Sequence, residues 1–225
     1  MFTRRGYTVF AVRPGSQTRF SVHDMLENLN TGILWVKRHA GEYKIDPNQL
    51  GLTGASAGGH LACLASVTAQ ESTDGKPDTR VKATAVFFPP TDFLVYGGRP
   101  FDPQSFLFKT LALSRDPKKL KAVDDDEMKK LLTEISPARR VHSKVPPFLF
   151  IHGNADLMVP LQQSETMVEA LKKENIPVEL IVKQGGGHPW PTIHEEVKVI
   201  ADWFDKQLAS NASATTEPAP TAAGK

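Results

Sequence analysis

The segment Leu50-Gly51-Leu52-Thr53-Gly54-Ala55-Ser56-Ala57-Gly58-Gly59-His60-Leu61-Ala62-Cys63-Leu64 constrains this chain more than any other. An apolar run leads into a turn built of small residues, and good helix formers follow. The turn spells Gly54-x-Ser56-x-Gly58, a spacing that sets a serine on a sharp strand-to-helix turn with its hydroxyl clear of the backbone. Such a serine sits in a strained conformation, and glycines on either side let strand and helix pass closely. The helix that follows aims its first N–H groups at the place where negative charge collects during acyl transfer. Two glycines and a serine recur by chance in loops, so the flanking strand and helix give the pattern its meaning.

The rest of the chain repeats that alternation of strand and helix. Tyr7 to Val12 is a β-branched and aromatic run stopped by Arg13-Pro14-Gly15, and it predicts a strand. Val22, Leu26, Leu29, Ile33, Val36 and Ala40 recur at gaps of four and three, which predicts a helix capped by Ser21 or Asp24 and ended by Gly41. Further strands are expected at Leu50 to Thr53, Val81 to Phe88, Phe148 to His152 and Val178 to Val182. Helices are expected from Ala57 to about Ala69, from Leu161 to Glu174 and from Ile193 to Leu208, with a polar loop over Glu71 to Arg80. Phe93 to Pro146 reads as an insertion whose charged half is a solvated helix, and from Ala209 on the composition predicts a disordered tail. The whole is one α/β domain over residues 1–208, a mostly parallel sheet with helices on both faces.

Reactive groups in such sheets gather at the carboxyl ends of strands. Three loops there carry chemistry: Ser56, Asp156 after the fourth expected strand, and His188 after the fifth. A serine is a poor nucleophile until a base lies within hydrogen-bond reach and a third group orients that base. Pro189 biases His188 toward extended backbone geometry. Asp92, which follows the strand ending at Phe88, is the rival acid and reads better as shaping the pocket or the base of the insertion. His152 is expected to brace the Asp156 loop, and His60 to pack or to support the turn. Phe93, Tyr96, Phe101 and Phe106 are candidate pocket walls, with core packing an equal reading for each.

Composition removes other classes. The net charge is +2, and no basic stripe with interleaved aromatics is present, so nothing speaks for a nucleic-acid partner. No apolar run approaches the roughly 20 residues of a membrane span. The single cysteine, Cys63, forbids an internal disulfide and reads as core. The acidic run Asp124 to Glu127 lacks accompanying histidines and reads as a solvated helix face, so no metal and no organic cofactor are implied. The start of the chain lacks a signal-peptide cleavage pattern. As written the chain reads as soluble and cytoplasmic, or as secreted or periplasmic were a signal to precede it.

Read together, Arg5-Gly6-Tyr7, Ile45-Asp46-Pro47, Gly54-Ala55-Ser56-Ala57-Gly58-Gly59-His60-Leu61-Ala62, Ser136-Pro137, Pro146-Pro147-Phe148, His152-Gly153-Asn154-Ala155-Asp156, Val159-Pro160 and Gly187-His188 resemble the α/β-hydrolase superfamily. The likeness spans about residues 5 to 208. It is closest to the esterase/lipase branch where hormone-sensitive-lipase-like and feruloyl- or acetylxylan-esterase-like enzymes overlap. The resemblance implies Ser56 as nucleophile, Asp156 as acid, His188 as base and the Ala57 N–H as an oxyanion donor. The esterase reading also expects a small-molecule ester substrate, carbohydrate esters included, a cap built by residues 93–146, and Asp92, Phe93 and Tyr96 as substrate-binding positions. One departure stands out. The family supplies a second oxyanion N–H from a His-Gly-Gly segment, with its own strand inside the sheet, and that segment would precede Arg5. The sequence therefore reads as an N-terminally truncated member that lacks a central strand, and loss of one oxyanion donor costs ~10²–10³ in turnover. Two alternatives accompany the esterase reading: a peptidase of the prolyl-oligopeptidase type and an inactive truncated member.

Overall fold

The computed structural model describes residues 1–16, 19–71, 78–100, 102 and 123–209. Among them lie strands β1 (Gly51–Ala55), β2 (Ala83–Phe87), β3 (Val95–Tyr96), β4 (Arg99–Pro100), β5 (Phe148–Gly153) and β6 (Val178–Lys183). Helices are α1 (Val22–Arg38), α2 (Ala40–Tyr43), α3 (Ala57–Thr68), α4 (Asp125–Glu134), α5 (Gln162–Lys173) and α6 (Ile193–Gln207). β1, β2, β5 and β6 form one parallel sheet in that order, while β3 and β4 form a small antiparallel pair.

Side-chain alternation along the two inner strands makes the sheet two-faced. Val86, Phe148 and Phe150 point into a core shared with Leu29 and Ile33 of α1, Leu61 and Leu64 of α3, Leu132 of α4, and Met167 and Leu171 of α5. Ala83, Ala85, Leu149 and Ile151 point the other way, against Trp190 and against Ile200, Trp203 and Phe204 of α6. Every residue of β5 is buried, as a strand covered on both faces must be.

Local chemistry sets the helix ends. Ser21 and Asp24 both contribute to the start of α1: the Asp24 N–H donates to Ser21 Oγ at 3.1 Å and the Ser21 N–H donates to Asp24 at 2.8 Å, a capping box. α1 stops at Arg38, earlier than Gly41, where His39 stacks on Trp35 at 4.2 Å. Gly41 lies inside the short α2, which ends at Lys44 in left-handed geometry (φ 52°). Asp124 caps α4 by accepting the Glu127 N–H at 2.8 Å, and the acidic first turn suits the positive end of the helix. Met128 and Leu132 on the same helix are buried, so its charged run covers one face only.

One expected strand does not form. Tyr7 to Val12 has no regular secondary structure, and none of the N–H groups of residues 8–12 donates to a backbone carbonyl among the described residues. A strand needs a neighbour, and an apolar groove of about 310 Å³, lined by Val9, Val12, Leu52, Leu61 and Phe204, separates this segment from β1. The segment is held instead by side chains. Arg5 pairs with Asp202 and Asp205 of α6, the Tyr7 hydroxyl donates to Asp205 at 2.8 Å, and Val12 rests against Gly32 of α1. The expected cap falls largely on residues 101 and 103–122, Phe101 and Phe106 included, and these lie outside the described residues, as do 210–225 of the expected tail. No helix among the described residues is long and apolar enough to cross a membrane.

Candidate active site

Ser56 joins β1 to α3 with φ 53° and ψ −122°, left-handed geometry that a non-glycine residue adopts only under constraint. The constraint is visible. Its N–H donates to Phe87 O at 3.0 Å and its carbonyl accepts the His60 N–H at 2.9 Å. A Cβ on Gly54 would come within 2.5 Å of the Gly58 backbone, so the close passage of strand and helix needs a glycine there. Ala57 opens α3 and is exposed, and an N–H at the first helical position has no acceptor inside its own helix.

His188 reaches Ser56 from the loop after β6. Its Nε2 lies 2.9 Å from Ser56 Oγ and its Nδ1 lies 2.6 Å from Asp156 Oδ2. A carboxylate only accepts, so Nδ1 carries the proton and Nε2 accepts from the serine hydroxyl. Asp156 is fully buried at its side chain and His188 is 10% exposed there. The second carboxylate oxygen of Asp156 accepts the N–H groups of Met158 at 2.9 Å and Val159 at 2.8 Å, which fixes the acid in a loop-closing turn. The two loops meet closely: a Cβ on Gly153 would run into the Gly186 backbone, and the Ala155 N–H donates to Gly186 O at 2.9 Å.

His152 braces this arrangement from beneath. Its Nε2–H donates to Val159 O at 2.8 Å and its Nδ1 takes the Ser164 hydroxyl at 2.7 Å. Burial holds its pKa below the ordinary value, so the ring stays neutral. His60 is buried too; its Nε2–H donates to Ile135 O at 2.8 Å, tying α3 to the segment after α4, and burial lowers its pKa to about 4.

The three expected substrate positions diverge. The Asp92 carboxylate is buried and taken up by Arg139, with two bonds of 2.8 Å, and by the Leu94 N–H. It ties the segment after β2 to Arg139. Phe93 is buried edge-on against the His60 ring, in the core. Tyr96 alone touches the acid loop: its hydroxyl donates to Met158 O at 2.9 Å, and burial, then the Asp156 charge, push its pKa up to about 12.

Several contributors left no mark in the sequence. Gln163 is wholly buried, and its side-chain oxygen accepts the N–H groups of Thr91 and Asp92. Trp190 donates to Glu196 at 2.9 Å, and Glu196 also pairs with Lys183. Phe88 lies against the His188 ring at 4.4 Å. None of these pairings was readable, because contacts between distant segments are not local patterns.

A parallel sheet whose strand ends present serine, acid and imidazole in that chain order is the α/β-hydrolase arrangement. The sequence profile described as BD-FAE matches residues 1–171, and the chain belongs to the BD-FAE family. It is similar to a probable carboxylic ester hydrolase, LipM, of Mycobacterium tuberculosis H37Rv, at 28% identity over 172 residues, 75% of this chain and 38% of LipM. It is similar also to esterase LipQ of the same organism, at 32% identity over 149 residues, 64% of this chain and 33% of LipQ. The chain thus spans well under half the length of these relatives. A solved truncated carbohydrate esterase from gut microbiota superposes with a TM-score of 0.73 at 27% identity, covering 87% of this chain and 72% of that one.

Proposed function

We propose that the chain is the catalytic part of a serine esterase that cleaves carboxylic esters, carbohydrate esters among them, through an acyl-enzyme. The observation that carries this reading is the unbroken hydrogen-bonded chain from Ser56 Oγ through the His188 ring to a buried Asp156. Ser56 Oγ attacks the acyl carbon while His188 Nε2 takes its proton. Asp156 stabilises the imidazolium, and the Ala57 N–H donates to the oxygen that becomes negative. The tetrahedral intermediate collapses, the leaving alkoxide takes the proton from Nε2, and the acyl group stays on Ser56. Water then attacks the acyl-serine with His188 as base, and the carboxylic acid departs. Tyr96, bonded beside the acid, is the candidate wall of the substrate site, while Asp92 and Phe93 support it from behind. The names of the relatives, esterases and a carbohydrate esterase, support the ester class and the sugar-bearing alcohol.

The test is turnover of p-nitrophenyl acetate and release of acetate from acetylated xylan. Ser56→Ala should lower kcat by ~10³-fold or more with the fold retained. Unchanged turnover in Ser56→Ala, or turnover confined to an aminoacyl-anilide, would sink the proposal.

A further inference from the structure

We propose that Phe88 is a positioning residue for His188: its ring, aimed by a left-handed backbone, backs the imidazole and holds it where it reaches Ser56 and Asp156 together. The proposal rests on the reading of Ser56, His188 and Asp156 as the reacting set.

Phe88 follows β2 and has φ 34°, which a bulky residue adopts only where its surroundings impose it. Its N–H donates to Ile151 O at 3.0 Å, so the neighbouring strand holds it in place. The conformation changes where the side chain goes. Alternation along an extended strand sends successive side chains to opposite faces. Phe87 and Phe88 instead lie in the same core cluster, together with Trp190. The break in alternation turns the second ring toward the His188 loop rather than into the core around α3.

Once there, the ring faces His188, Trp190 and His152. Its centroid lies 4.4 Å from that of His188 with the planes inclined 61°, 5.7 Å from Trp190, and 6.3 Å from His152. Trp190 is pinned by Glu196, and His152 braces the acid loop. The backbone before His188 is Gly185-Gly186-Gly187, which gives the imidazole little stiffness of its own. A ring without polar atoms restricts rotation of the imidazole and competes for neither of its nitrogens. Phe87 O meanwhile accepts the Ser56 N–H, so one strand end sets both the serine turn and the face of the base.

Two readouts separate positioning from packing. In proton NMR of the full chain, the Nδ1–H of His188 should give a strongly downfield resonance, assigned by its loss in His188→Ala. Phe88→Leu should lose or shift that resonance while circular dichroism shows a retained fold. On p-nitrophenyl acetate its kcat should fall about 10- to 100-fold with little change in KM, the scale of an ångström-sized misplacement. Phe88→Tyr, which keeps the ring, should restore most of both. Phe88→Met is the second ringless variant should Phe88→Leu fail to fold. An unchanged resonance and kcat in a folded ringless variant would overturn the proposal, as would a wild-type chain without the resonance. If the wild type shows the resonance and loses it with the ring, yet has no Ser56-dependent turnover, the positioning role stands and the esterase reading falls.

Discussion

Burial decides what each histidine does in this chain. His188 keeps a side chain open enough to meet a substrate, whereas His60, 3% exposed, offers its Nε2–H to one carbonyl. Burial lowers the His60 pKa from 6.5 to about 4. Above the ordinary value both folded and unfolded chains hold a neutral imidazole and His60 adds no pH dependence. As the pH falls from about 6.5 toward 4, the unfolded chain binds a proton that the folded one refuses, so stability is lost, by roughly 3 kcal/mol at most. Urea unfolding of the wild type and His60→Gln between about pH 7 and pH 5 should show a steeper loss in the wild type. Parallel curves would contradict the burial argument. The meeting of Ser56, Asp156 and His188 was legible because each sits in a sequence pattern tied to a strand end. Phe88 was not: its left-handed φ comes from the Ile151 carbonyl on another strand, and no local preference of phenylalanine points to it.

Among the elements, α1 shows how far periodicity reaches. The spacing of its apolar residues marked the helix, and the buried set is Val22, Met25, Leu29, Ile33 and Val36. Three hydrogen bonds join Ser21 and Asp24 at its start, and Ser21→Ala removes the two made by the hydroxyl. The variant should lose about 1 kcal/mol in urea unfolding, within the usual range for a helix cap. Asp24→Asn, which keeps an acceptor, should lose less. Equal stability of Ser21→Ala and wild type would show that packing alone starts the helix. Tyr7 to Val12 marks the limit of such readings. Its β-branched composition predicts a strand that does not form, because pairing is a property of two segments. The groove beside β1 leaves this one without a ladder. The same distinction governs β2 and β5, whose apolar runs were readable as buried strands and whose parallel register, Val86 opposite Phe150, was not.

Across the whole molecule, three loops separated by 100 residues between Ser56 and Asp156 and 32 between Asp156 and His188 close on one rim of the sheet. The order β1-β2-β5-β6 brings this about: Ser56 follows β1, Asp156 follows β5 and His188 follows β6, while the end of β2 fills the space between them. Chain order and strand ends made that convergence readable; the packing that closes it, from Gly153 against Gly186 to Trp190 against Glu196, depends on distances that no sequence window contains. The most direct measurement is the site of covalent labelling by a fluorophosphonate, read by intact mass and by peptide mapping of the folded chain. One adduct on Ser56, lost in Ser56→Ala and strongly slowed in His188→Ala, is the predicted result. An adduct on another residue, or labelling that survives Ser56→Ala undiminished, would contradict the account.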